Sequence, residues 1–156
     1  FLVMKGFNVN IALCESYDNT TMSVTKFFNE VRAIDNKAKI CVFSMLNYVG
    51  CEEVDLGLDY FVKCIKPEDE RYQDTKIPLF SIEAKKKEEN QTEEYNVFES
   101  IFAQPKEISF PTKGIYEIQV YEIGESVRLI EKAVERYKKY QESKINPISA
   151  YRFMVV

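Results

Sequence analysis

Val9, Ile11 and Leu13 alternate with Asn10, Ala12 and Cys14, and a period of two puts successive side chains on opposite faces of a strand, where a helix would need a period near 3.6. The same pattern returns through Met22, Val24 and Phe28, with Thr25, Phe27 and Val31 beside them. Ser16-Tyr17-Asp18-Asn19-Thr20 separates these two runs and is rich in turn formers, so the pair reads as a hairpin. Lys39 to Leu46 is apolar on both faces, which predicts a strand with neighbours on either side. Asp59 to Lys66 is a further run, closed by Pro67-Glu68-Asp69-Glu70; Lys76 to Ala84, Tyr95 to Ala103 and Lys113 to Tyr121 follow, with Pro105 and Pro111 between the last two.

Between the strands from Lys76 and from Tyr95 the chain reads KKKEENQTEE over residues 85–94, a solvated charged loop or hairpin tip. After Gly124 the period changes. Val127, Ile130, Val134 and Tyr137 fall at helical spacing, widened by Leu129, Ala133 and Tyr140, while Arg128, Glu131, Lys132, Glu135, Arg136 and Lys139 take the other face. One amphipathic helix over about 125–143 is predicted, stopped by Asn146-Pro147, with its apolar stripe packed on a sheet face. Ile148 to Val156 is then a final strand that rejoins the sheet.

The expected fold is mainly β: an antiparallel β-sandwich of about seven to eight strands with one amphipathic α-helix inserted before the C-terminal strand. The 156 residues carry no internal repeat and no linker, so residues 1–156 are read as a single domain.

Phe110-Pro111-Thr112-Lys113-Gly114-Ile115-Tyr116-Glu117-Ile118-Gln119-Val120-Tyr121 has the sharpest local signature. Gly114 suits a positive φ or a close backbone approach; Tyr116, Ile118 and Val120 share one face, and Ile115, Glu117, Gln119 and Tyr121 share an opposite, wet one. This strand resembles the late strands of immunoglobulin-like β-sandwiches, in which a tyrosine just inside the strand pins a corner. The opening, Ile11-Ala12-Leu13-Cys14-Glu15, then a polar turn and Ser23 to Val31, is similar to the start of small uncharacterised bacterial β-sandwich proteins. The resemblance spans about residues 9–123 and implies a sandwich with no assigned activity. The Cys…Trp…Cys framework of true immunoglobulin domains is missing, since tryptophan is absent.

Composition narrows the chemistry. Histidine is absent, which removes Ser-His-Asp and Cys-His pairs, histidine zinc sites and an imidazole switch near neutral pH. The glycines stand apart, so neither phosphate-binding glycine loop exists and no cofactor is expected. A formal net charge of −4, with 16 lysines to 5 arginines, argues against nucleic acid and anionic membranes as partners. Lys85, Lys86, Lys87, Lys138 and Lys139 are the residues a nucleic-acid contact would use, but glutamates flank them.

The cysteines Cys14, Cys41, Cys51 and Cys64 have no C-x-x-C spacing and read as small buried thiols of a reducing compartment, with Cys51, beside Gly50 in a polar loop, the one placed to react. The apolar opening is broken at Lys5 and Asn8, unlike a secretory signal, so cytoplasmic residence is expected.

Two acidic clusters stand out: Glu52, Glu53, Asp55 and Asp59, and Glu68, Asp69, Glu70 and Asp74. If the two loops met at one end of a sandwich, their carboxylates would hold Ca²⁺ as in C2-like domains, serving membrane binding or hydrolysis. Neither cluster has the order of a calcium loop, and a solvated surface explains both. The expected function is accordingly a non-catalytic cytoplasmic binding or assembly module, engaging another protein or itself through loop ends, a strand edge or the helix face.

Overall fold

The computed structural model describes residues 5–50, 56–84 and 96–156. Cys51, Glu52, Glu53, Asp55 and the charged loop at 85–94, with Lys85, Lys86 and Lys87, lie outside the described residues.

In chain order the strands are β1 (Lys5–Asp18), β2 (Ser23–Phe28), β3 (Glu30–Val31), β4 (Lys37–Gly50), β5 (Leu56–Pro67), β6 (Lys76–Ala84), β7 (Asn96–Ser109), β8 (Gly114–Glu122) and β9 (Ser149–Val155), with helix α1 (Ala133–Glu142) before the last. They form a sandwich of two sheets. Sheet A has the order β2-β1-β4-β7 and sheet B the order β3-β9-β8-β5-β6. All pairs are antiparallel except β3 with β9, where Glu30 and Val31 lie beside Met154 and Val155.

The β1–β2 hairpin forms where Asp18 turns the chain, its carboxylate accepting from the Thr20 and Thr21 amides. Both amides hold the exposed Asp18 carboxyl below its ordinary range. The run that is apolar on both faces is β4, held between β1 and β7. β3 is a two-residue strand that alternation does not reveal; it exists because Val31 and its neighbours cross from sheet A to the edge of sheet B. The strand expected to end at Ala103 continues through Pro105 to Ser109. Proline is tolerated there because β7 is the outer strand of sheet A, so its missing N–H faces away from β4; Pro78 occupies the same kind of position in β6.

Alternation fills the space between the sheets. Val9, Ile11, Leu13, Ile40, Val42 and Leu46 of sheet A pack against Leu58, Tyr60, Val62, Tyr116, Ile118, Val120 and Phe153 of sheet B. Ser44 from one sheet and Tyr60 from the other hydrogen bond across this core at 2.8 Å. The tyrosine corner is present: the Tyr116 hydroxyl donates to the Thr112 carbonyl at 2.6 Å.

Burial pushes the Tyr60 phenol from 10.0 up to about 12, against a smaller opposing effect of the Ser44 bond. A raised folded pKa leaves stability intact below the unfolded value and removes it as pH climbs through the folded one. Unfolding free energy is therefore expected to fall by about 2–3 kcal/mol from Tyr60 alone between pH 10 and pH 12, at about 1.4 kcal/mol per unit. Urea titrations across that range should show the loss, and Tyr60→Phe should shrink it by that amount while the other buried phenols, such as Tyr116 and Tyr140, keep their share; an unchanged slope in the variant would refute the assignment.

Candidate functional site

Helix α1 begins at Ala133, eight residues later than the spacing from 125 suggests. The stretch before it forms turns, with the Val127 amide donating to the Gly124 carbonyl and the Ile130 amide to Val127. Val127 is buried and Ile130 partly buried in these turns, whereas Leu129 is 95% exposed, so their helical spacing belongs to no helix. The buried face of α1 consists of Arg136, Tyr137 and Tyr140, not Val134, which is 52% exposed. Arg136, placed by periodicity on the wet face, lies instead between helix and sheet.

That face covers the outside of sheet B. Tyr140 stacks on Tyr121 with ring centres 4.7 Å apart, and Tyr137 meets Phe61 edge-on at 4.7 Å. The strand face expected to be wet is in consequence closed: Gln119 and Tyr121 of β8 are both buried. The Gln119 amide oxygen accepts from the Tyr121 and Tyr137 hydroxyls and its nitrogen donates to Glu117, which in turn takes the Arg152 guanidinium at 2.8 Å. Burial alone would raise the Glu117 carboxyl, but Gln119 and Arg152 outweigh it and hold it below the usual range.

Asp59 and Arg136 form the only ion pair between buried side chains among the described residues. The guanidinium meets the carboxylate side-on, Nε to Oδ2 and Nη2 to Oδ1, both at 2.7 Å. Tyr140 donates to Oδ2 and Ser81 to Oδ1. Arg136 also donates to Ser81 Oγ and, through Nη1, to the Ile130 and Glu131 carbonyls. These last two bonds hold the turn segment in its non-helical course.

A guanidinium has five N–H donors and a carboxylate about four acceptor positions. Here all are occupied by the protein itself. Asp59 raises the Arg136 pKa further, so the cation persists at any accessible pH, and burial followed by the hydrogen bond to Asp59 pushes the Tyr140 phenol up. A cavity of about 460 Å³ opens beside this network, lined by Gly57, Ser81, Glu83, Ile123, Glu131 and Arg136 among others. The saturated pair has no donor or acceptor left to offer it, and its physical work is to fasten α1 to β5 and β6.

The acidic residues proposed for Ca²⁺ are not brought together where the structure describes them. Asp59 is committed to Arg136 near the start of β5, whereas Glu68, Asp69 and Glu70 follow its other end, roughly 25 Å away at about 3.3 Å per residue. Asp69 caps the short 3-10 turn Glu70–Tyr72 and pairs with Arg71 at 2.7 Å, which holds its carboxyl below the usual range. Asp74 faces Lys63 at 3.7 Å. Among the described residues no group of three or more Cys, Asp or Glu side chains could hold a metal ion.

Arg136 is what a sequence reading misses. Its one local signal is a position four residues before Tyr140 on a helix whose register depends on where the helix starts.

No family model matches the chain, and no curated protein matches it. Among solved structures it is similar to the crystal structure of an immunoglobulin-like protein from Pseudomonas aeruginosa, at 12% identity and a TM-score of 0.37, over 100% of this chain and 98% of that one. The β-sandwich itself rests on the strand pairing described above. Among the described residues no helix is long and apolar enough to cross a membrane.

Proposed function

We propose that this protein is a non-catalytic cytoplasmic assembly module whose partner is a second copy of itself, docked through the outer face of sheet A. The observation that carries this reading is the asymmetry of the two outer faces: α1 covers that of sheet B, and no described element covers that of sheet A. Phe43 lies on that open face, since Val42 and Ser44 point inward, and it gathers Tyr17 at 5.8 Å and Phe27 at 5.6 Å. Phe27 is 56% exposed.

A two-fold interface sets one patch against itself, so it needs a surface free of net charge. Lys39 of β4 and Glu107 of β7 lie opposite each other on this face and balance. Sheet extension through an edge is less favourable. β7 and β6 carry Pro105 and Pro78, β2 has Lys26 at φ 48°, and β3 has two residues, all features that discourage strand addition. The saturated Asp59–Arg136 pair and the absence of histidine favour a role without catalysis, and the Cys64 thiol, sealed in the core, suits a reducing compartment.

Sedimentation velocity at tens of micromolar is expected to give a dimer. Phe27→Glu should weaken it by about tenfold or more, because a charge buried against a like charge opposes association. A wild-type chain that stays monomeric at that concentration overturns the proposal.

A further inference from the structure

Cys14 of β1 and Cys41 of β4 stand directly opposite each other on adjacent antiparallel strands. Leu13, Ile40 and Val42 belong to the core between the sheets, so alternation turns both cysteines to the outer face. Opposed Cα atoms of an antiparallel pair lie about 4.5 or 5.5 Å apart, and both values fall inside the roughly 4.4–6.8 Å that a disulfide spans. The register is fixed along ten consecutive pairs from Lys5–Gly50 to Cys14–Cys41, and a slip of one residue would expose the core face of β1. Both cysteines line a cavity of about 440 Å³ together with Glu15, Tyr17, Lys39 and Pro105. Cys41 is half-buried and Cys14 buried. Cys64, by contrast, is sealed in the core of the sandwich.

We propose that Cys14 and Cys41 form a dithiol site for a small-molecule disulfide of the glutathione class, which it reduces while closing into a cross-strand disulfide. The more exposed Cys41 is the point of entry. Burial, with Cys41 adding to it, pushes the Cys14 thiol from 9.0 up to about 12, so Cys14 enters as a thiol. The Cys41 thiolate attacks one sulfur of RSSR, a Cys41–S–S–R bond forms, and RS⁻ leaves. That RS⁻ takes the Cys14 proton; the Cys14 sulfur attacks Cys41 Sγ, the mixed disulfide breaks, and a second RS⁻ leaves to pick up the proton Cys41 had lost. Two cysteine thiols are oxidised and one disulfide is reduced to two RSH.

The test is incubation of the reduced full chain with oxidised glutathione at neutral pH, followed by intact mass and non-reducing peptide mapping. The expected product has lost two hydrogens, links the Cys14 and Cys41 peptides, and melts about 10 °C higher, because the bond restrains the unfolded chain. Cys14→Ser should stop at a glutathione adduct on Cys41, and Cys41→Ser should leave Cys14 unmodified. Cys14 and Cys41 share the outer face of sheet A with the proposed dimer contact, so the incubation is run at a dilution where sedimentation gives monomer. There, a wild-type chain that retains the adduct on Cys41, pairs either cysteine with Cys51 instead, or keeps both thiols unreacted overturns the proposal. The products are intramolecular, so failure of the dimer in the sedimentation experiment would leave this outcome unaffected.

Discussion

Replacing Arg136 with alanine is expected to lower the unfolding free energy by about 3–5 kcal/mol, the cost of leaving a buried charge without its partner. Asp59 has no exposed surface, and in the variant only the Tyr140 and Ser81 hydroxyls would remain to solvate its carboxylate. The Ile130 and Glu131 carbonyls would also lose their donor. Asp59→Ala should cost a similar amount from the other side, by stranding the guanidinium. The double replacement Asp59→Leu with Arg136→Met should cost far less than the sum, since it removes both charges and fills the space with apolar atoms. Urea denaturation of the wild type, the two single variants and the apolar double variant makes the comparison. Single variants that each lose less than about 1 kcal/mol would mean that the aromatic contacts alone dock the helix.

Gly114→Ala should cost about 3 kcal/mol or more, well beyond a helix or strand propensity effect. Gly114 has φ +147°, and a Cβ there would lie 2.3 Å from the Lys66 carbonyl oxygen and 2.9 Å from Pro67 Cα. Backbone strain in this region is about 1–3 kcal/mol by itself. The obstructing atoms are backbone, so the clash is relieved only by pulling β8 away from the end of β5, where Gly114 pairs with Pro67 and the Lys113 carbonyl accepts from the Glu68 amide at 2.8 Å. Gly124 is the internal control: a Cβ there meets nothing within 4 Å, and Gly124→Ala should stay within about 0.5 kcal/mol of wild type. Equal stabilities for the two alanine variants in chemical denaturation would refute the steric account.

Gly114 and its neighbour Tyr116 were legible because their roles are local. A glycine two residues before a tyrosine, after Pro111-Thr112, announces a tight corner whatever the rest of the chain does, and the Tyr116–Thr112 bond spans only four positions. Asp59 shows the opposite case. As one acid in a row of acids it read as a surface carboxylate, because its charge partner lies 77 positions away. Tyr121 and Gln119 read as a wet face for the same reason: what covers them is a helix that follows in the chain and folds back.

The helix start failed for a subtler cause. Val127 and Ile130 have helical spacing and are buried or partly buried, but the Arg136 side chain binds the Ile130 and Glu131 carbonyls that a longer helix would have used for its own amides. Hydrophobic period measures burial, and burial alone does not distinguish a helical turn from a run of tight turns.

Alternation and turn chemistry were enough to determine that this chain makes strands, where most of them lie, that β1 and β2 form a hairpin, that β4 is interior, and that one helix precedes the last strand, since these follow from steric and hydrogen-bonding preferences within a few residues. Tertiary structure alone decided the order of strands in each sheet, the parallel seat of β3, the passage of β7 through Pro105, the clamp between Asp59 and Arg136, and the meeting of Cys14 with Cys41. Each of these depends on which distant segment comes alongside, and every strand offers the same backbone groups to any neighbour, so the choice is made by packing of the whole molecule and is written in no single stretch of it.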